Sequence, residues 1–261
     1  MSYKAGWLIV SLFVAVSLFL FASQATQAGE FWAFPPDAPA PEYGNLLMNR
    51  TSEKNGQKPV IFSHWLHRTK FTCRVCHFEL EFNMKINTTE ITEKTNQAGL
   101  HCGAASCHDG KASFGHQEPN CKKCHSGNKT DGSEKFNELA SRLPKSPFGN
   151  HIDWGEALKK GLISPVHYIS IKPSEDIEFK EQLVLDAGWT NIPPAVFPHK
   201  PHVQWLDCNN CHPDIFNIKK KTTKHFEMVR ILRGEFCGVC HMSVAFPMNN
   251  CKPCHPGIKG K

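Results

Sequence analysis

Residues 60–77 read VIFSHWLHRTKFTCRVCH, and residues 195–212 read AVFPHKPHVQWLDCNNCH. The two stretches align without a gap at an offset of 135: Phe62 falls on Phe197, His64 and His67 on His199 and His202, and Cys73, Cys76 and His77 on Cys208, Cys211 and His212. The match continues through Gly99 and Cys102 onto Gly234 and Cys237. Beyond that the offset shrinks, and Asn120-Cys121-Lys122-Lys123-Cys124-His125 matches Asn250-Cys251-Lys252-Pro253-Cys254-His255. A repeat of this length means one structural unit used twice, so it comes before any assignment of elements.

The cysteines say what each unit holds. All twelve fall into six pairs, and a histidine follows the second cysteine of every pair. The pairs are Cys73/Cys76-His77, Cys102/Cys107-His108, Cys121/Cys124-His125, Cys208/Cys211-His212, Cys237/Cys240-His241 and Cys251/Cys254-His255. Five are C-x-x-C-H, and the second is C-x-x-x-x-C-H. C-x-x-C-H is the signature of covalent c-type haem attachment. Two thioether bonds hold the porphyrin, and the adjacent histidine becomes an axial ligand of the iron. A zinc site needs four ligands from such pairs, and a disulfide framework needs an even cysteine count, but neither needs a histidine after every second cysteine. The sequence therefore implies six covalently attached haem c groups, with iron held by His77, His108, His125, His212, His241 and His255.

Export is expected. Lys4 precedes an apolar run from Ala5 to Ala22, and Ser23-Gln24-Ala25 and Thr26-Gln27-Ala28 both offer small-residue cleavage sites. This is the pattern of a secretory signal over residues 1–28, the alternative being an uncleaved membrane anchor. Haem is attached to c-type cytochromes on the outer side of the bacterial inner membrane, so a periplasmic location follows. The polypeptide carries a formal charge of +6. Each haem brings two propionates and adds about −1 when ferric and about −2 when ferrous, so six haems take the total to roughly 0 oxidised and roughly −6 reduced. The basic sequence is thus no argument for a nucleic-acid partner; its lysines read as propionate partners and docking patches.

A low-spin haem needs a second axial ligand. His64 and His67 are three residues apart, as are His199 and His202, and on a helical turn such pairs project from one face. Two ligands that close can serve two adjacent haems. Here each repeat resembles the triheme cytochrome c7 unit, a shortened relative of cytochrome c3. The F-x-H-x-x-H, C-x-x-C-H, Cys-Gly and N-C-K-x-C-H elements carry the resemblance over about 60–125 and 195–255. It implies the pairings His64 with His77, His67 with His108, His199 with His212, and His202 with His241. In that family the ligand of the third haem lies between the first two haem motifs. The second unit offers His225 and Met228 there, on a helix expected to end near Gly234; the first offers Met84 and His101. His116, aligned with Phe246, and His151 and His167 further on are other candidates. A methionine ligand would raise that haem's potential.

The expected architecture is mostly irregular, with short α-helices and few strands, the haems forming much of the interior. Residues 29–59 read as an extended leader, 60–125 and 195–261 as the two triheme units, and 126–194 as a connector. Within the connector, Ser126–Ser133 reads as a loop, Trp154–Leu162 as a short helix and Val166–Ile171 as a strand. Phe71, Phe78, Phe114, Phe236 and Phe246 are expected to pack on porphyrin faces, and Lys219–Lys221 with Lys224 to form a solvated face. The function read from these features is single-electron carriage rather than catalysis, with redox partners such as a membrane quinol-oxidising complex or a terminal reductase. The alternatives are a multihaem reductase with one open iron, and a membrane-anchored electron-transfer subunit.

Overall fold

A computed structural model describes residues 38–173, 179, 182–186, 191–219 and 226–258. The signal segment, His225, Lys220, Lys221 and Lys224 lie outside these residues. Among the described residues no helix is long and apolar enough to cross a membrane.

The chain is mostly turns and bends punctuated by short elements. Strand β1 (Asn45–Met48) pairs antiparallel with β2 (Val60–Ser63), Asn45 opposite Ser63 and Met48 opposite Val60. The chain then turns directly into helix α1 (His64–Arg68). Further short helices are α2 (Glu93–Gln97), started by a reciprocal Thr92/Thr95 capping box, and α3 (Cys121–Cys124). The connector contributes α4 (Ser133–Arg142) and α5 (Trp154–Lys159), the latter capped by the Asp153 carboxylate on the Glu156 amide. Strand β3 (Leu183–Leu185) pairs antiparallel with β4 (Ala195–Phe197), which feeds helix α6 (His199–Val203). Helices α7 (Met228–Ile231) and α8 (Gly238–His241) complete the second unit.

The repeat is visible in backbone as well as sequence. In both units a strand bearing phenylalanine passes through one extended residue into the helix bearing H-x-x-H. That residue is Ser63 (φ −100°, ψ 102°) in the first unit and Pro198 (φ −88°, ψ 114°) in the second. Neither makes a side-chain cap, so proline replaces serine without loss. Pro201 lies in the first turn of α6, where a missing N–H is not needed by the helix.

The apolar cluster of the connector packs on the first unit around a side chain that the second unit lacks. Trp65, 2% exposed, stands where the second unit has Lys200. It forms a buried cluster with Phe136, Leu143, Ile152, Ala157 and Ile163, and meets the Phe136 ring edge-on at 5.2 Å. Helix α4 turns Phe136, Leu139 and Ala140 to that cluster, the i, i+3, i+4 spacing of a helix with one apolar stripe. Replacing Trp65 by alanine is expected to cost about 3–5 kcal/mol by deleting a large buried side chain. Lys200→Ala, at the equivalent but solvent-facing position, should stay within about 0.5 kcal/mol. Denaturant titration of both variants checks the contrast.

The segment Val166–Ile171 differs from expectation. It is not a strand; only an isolated bridge between Phe71 and Val166 forms there. The amides of Ile169, Ser170 and Ile171, which a sheet would have used, point instead at the carboxylate of Glu79, at 2.7–3.2 Å, and the Ser170 hydroxyl joins them at 2.9 Å. Glu79 is fully enclosed, with a side-chain exposure of 0%, and lies 2.6 Å from Arg74. Burial opposes its charge, but the amides of Ile171, Ser170 and Ile169 and the Ser170 hydroxyl outweigh it and hold the carboxyl below its usual range.

Candidate haem-binding sites

Each attachment motif folds into a single tight turn. In four of the six, the histidine amide bonds the carbonyl of the first cysteine: His125 to Cys121, His212 to Cys208, His241 to Cys237 and His255 to Cys251. In the longer motif His108 makes the corresponding bond to Cys102, so two extra residues are accommodated without moving the histidine off that carbonyl.

All six motif histidines are anchored in one way. Nδ1 donates to a backbone carbonyl: His77 to Phe82 (2.7 Å), His108 to Phe114 (3.1 Å), His125 to Lys58 (2.8 Å), His212 to Phe216 (2.8 Å), His241 to Phe246 (3.0 Å) and His255 to Pro193 (2.7 Å). This bond fixes the tautomer, leaves Nε2 as the lone-pair donor and sets the ring's orientation, the usual outer-shell support of a metal-bound imidazole. His64, His67 and His202 show the same anchor, on Gly44 (3.0 Å), Ser63 (2.9 Å) and Pro198 (2.8 Å).

The helices bring these rings together in pairs. A metal–imidazole nitrogen distance of about 2.0 Å, with the ring centre roughly 1.1 Å behind the nitrogen, puts two imidazoles that share a metal about 6.2 Å apart. His64 and His77 are 6.5 Å apart and nearly parallel at 8°. His67 and His108 are 6.2 Å apart at 55°, and His202 and His241 are 6.2 Å apart at 60°. The last two pairs occupy equivalent places in the repeat and have the same geometry. His199 lies close enough to His212 for that ring to depress its pKa, after the larger effect of burial, and Phe179 stacks flat on it at 4.5 Å.

The phenylalanine of F-x-H-x-x-H has a role that its place in the motif only hints at. Phe62 meets His64 edge-on (4.8 Å, 87°) and lies over His67 (4.4 Å, 24°). Phe197 does the same to His199 (4.9 Å, 89°) and His202 (4.4 Å, 32°). One aromatic ring thus holds both histidines of a pair in their rotamers.

Burial sets the protonation of this donor set. It pushes His64 down to about 3, helped by the charges of His77 and Arg68 and opposed by the Gly44 carbonyl. It likewise pushes His241 down to about 4 and lowers His67, His77 and His202. The imidazoles are therefore neutral, the form that binds a metal. Burial also raises Cys76, Cys102, Cys237 and Cys240 to about 12, so these thiols are not activated thiolates. None of the twelve cysteines is in a disulfide. Among the described residues no His, Cys, Asp and Glu cluster forms a conventional metal-ion cage. A covalent porphyrin fits these groups: paired free thiols beside an anchored imidazole, with a second imidazole facing it in the pairs His64/His77, His67/His108 and His202/His241.

The remaining candidates are spread out. His101 carries the Nδ1 anchor on Leu80 (3.2 Å), and His151 on Ser146 (3.3 Å). His116 lies 6.3 Å from His108, and its Nε2 is buried with no hydrogen-bond partner. Its expected equivalence to Phe246 is corrected: Phe114 accepts from His108 and packs on its ring at 4.5 Å, as Phe246 does for His241 at 4.3 Å. His116 therefore corresponds to Met248. Met84 is half-buried in the loop before α2, Met228 opens α7, and His167 is exposed, with its carbonyl bonded to Arg74.

A donor set of this kind, repeated along one chain, defines a multihaem c-type cytochrome carrying covalently bound haem. Residues 60–126 and 195–256 match the model of the family "Cytochrome c7 and related cytochrome c", and both units belong to that family. None of the curated proteins matches the chain. Among solved structures, the C-terminal hexaheme fragment of GSU1996 is 22% identical, covering 85% of this chain and 99% of its own, with a TM-score of 0.27. The dodecaheme cytochrome c GSU1996 is 23% identical, covering 83% and 75%, also with a TM-score of 0.27.

Proposed function

We propose that the chain is a periplasmic hexahaem electron carrier that passes single electrons between redox partners. The observation that carries this reading is the sixfold recurrence of one arrangement: two cysteines and a carbonyl-anchored histidine on each tight turn. Four of the six irons take a second imidazole, in the pairs His64/His77, His67/His108, His199/His212 and His202/His241. The ring separations support three of these pairings, and the repeat supports the fourth. The haems on Cys121/Cys124 and Cys251/Cys254 draw their sixth ligands from the set Met84, His101, His116, His151, His167, His225 and Met228. The haem supplies the redox chemistry, while this chain positions it. A membrane quinol-oxidising complex or a terminal reductase is the class of partner that such a carrier serves, and residues 1–28 direct export.

Intact mass of the exported protein, with its visible spectrum, tests the reading. The expected result is a mature chain beginning after Ala28, six haem additions and low-spin spectra that titrate reversibly. A mass corresponding to zinc, or fewer than six haems with free thiols remaining, would sink it.

A further inference from the structure

We propose that Arg74 is a positioning residue for electron exchange between the two triheme units, latching the first attachment motif of one against the first motif of the other. The inference rests on the electron-carrier reading above. Arg74 lies inside the motif Cys73-Arg74-Val75-Cys76-His77, where the second unit has Asn209. Its side chain is only 4% exposed, yet it reaches across the unit boundary. Nε bonds Asp207 Oδ2 at 3.0 Å, and the Arg74 amide donates to the Trp205 carbonyl at 2.9 Å. Nη1 bonds Glu79 at 2.6 Å and the His167 carbonyl at 3.1 Å. Asp207 directly precedes Cys208 and caps its 3-10 turn, Cys208–Asn210, by accepting from the Asn209 amide. One guanidinium therefore ties the turn carrying Cys73 to the turn carrying Cys208, and the two turns pack on each other.

A second arginine reinforces the junction. Arg68, at the end of α1, donates to the Val244 carbonyl at 3.4 Å and lies over the rings of Trp154 and Trp205 at 5.2 and 5.7 Å.

Exchange between two such haems leaves all bonds intact. One iron goes from ferrous to ferric as the other goes from ferric to ferrous, and no proton or leaving group moves. What the polypeptide must supply is a fixed separation. A buried ion pair is weak as a stabiliser but strong as a register device, because removing one partner strands a charge. Arginine suits this role because its planar fork serves several acceptors at once, which a lysine ammonium on a flexible stem does not.

The test uses the full-length haem-loaded protein and the variants Arg74→Gln, Arg74→Lys and Asp207→Asn. Exchange between haem methyl resonances of partly reduced protein is read by NMR, within units and between them. The expected result is inter-unit exchange slowed about tenfold or more in Arg74→Gln and Asp207→Asn, with Arg74→Lys between them and wild type. Haem count, low-spin spectra and exchange within each unit should hold. Inter-unit exchange at the wild-type rate in both variants overturns the proposal. If Arg74→Gln fails to accumulate, Asp207→Asn carries the test, since its one oxygen can still cap the Asn209 amide while the charged oxygen that accepts from Arg74 is replaced. Failure of the carrier reading itself would show separately, as wild-type protein that takes up no electrons.

Discussion

Alanine in place of Gly238 is expected to dismantle the second unit around its middle haem, and alanine in place of Gly103 to do the same to the first. Both glycines directly follow the first cysteine of the second motif in their unit. A Cβ built on Gly103 would lie 1.8 Å from the Asn96 carbonyl oxygen and 2.6 Å from its carbon. A Cβ on Gly238 would lie 1.9 Å from the Ile231 carbonyl oxygen and 2.9 Å from its carbon. Asn96 and Ile231 are equivalent in the repeat and lie in or at the end of the helix before the motif, α2 in one unit and α7 in the other. The obstacle is backbone on both sides, so no side-chain rotation relieves it. Overpacking usually costs about 1–3 kcal/mol, and a rigid clash of this depth belongs at or beyond the upper end. The expected readout is loss of the haem on Cys102/Cys107 or Cys237/Cys240 by intact mass, with a lowered melting temperature. Gly155→Ala is the control: it lies in α5 with only Asp153 Oδ1 nearby at 3.5 Å, and should be neutral or stabilising. Full haem loading in both Gly103→Ala and Gly238→Ala would show that the motif and its helix can separate at little cost.

These glycines mark the line between what is legible in the sequence and what is not. Covalent haem attachment demands fixed residue types at fixed spacing, so the six motifs, the repeat and the H-x-x-H helices can be read directly. The glycine after each of these cysteines is visible, but its reason is not, since it depends on the approach of a helix carbonyl from seven residues upstream. The connector is the least legible part. Helix α4 begins at the end of the polar run Ser126–Ser133, and that run hides its start. Val166–Ile171 has the composition of a strand, yet its amides are taken by Glu79, some ninety residues earlier in the chain. Arg74 and Asp207 are ordinary surface types in sequence, and only the fold encloses the arginine and pairs it with the aspartate. Long-range polar contacts leave no periodic trace, so such a junction is invisible to pattern reading.

Removing one histidine of an H-x-x-H pair should change one haem and spare its neighbour. In His67→Ala the haem on Cys102/Cys107 is expected to lose its sixth ligand while the haem on Cys73/Cys76 keeps His64. In His202→Ala the haem on Cys237/Cys240 should respond in the same way. The two variants should match because the His67/His108 and His202/His241 pairs share the same 6.2 Å separation, and His67 and His202 are each clamped by their own phenylalanine, Phe62 or Phe197. Attachment is set by cysteines and proximal histidine, which the substitutions leave alone, so the haem count should stay at six. The visible and electron paramagnetic resonance spectra should show roughly one haem in six turning high-spin, and the reduced protein should bind about one carbon monoxide per chain. That haem's potential should rise, because a neutral imidazole no longer supports the ferric state. Phe62→Ala should leave all haems low-spin but loosen both rings of the pair, broadening their signals without opening a site. Carbon monoxide binding absent from His67→Ala and His202→Ala alike would mean that the second histidine of each pair is not an iron ligand. Binding in only one of them would mean that the two units, equivalent in ring geometry, differ in how they complete their middle haem.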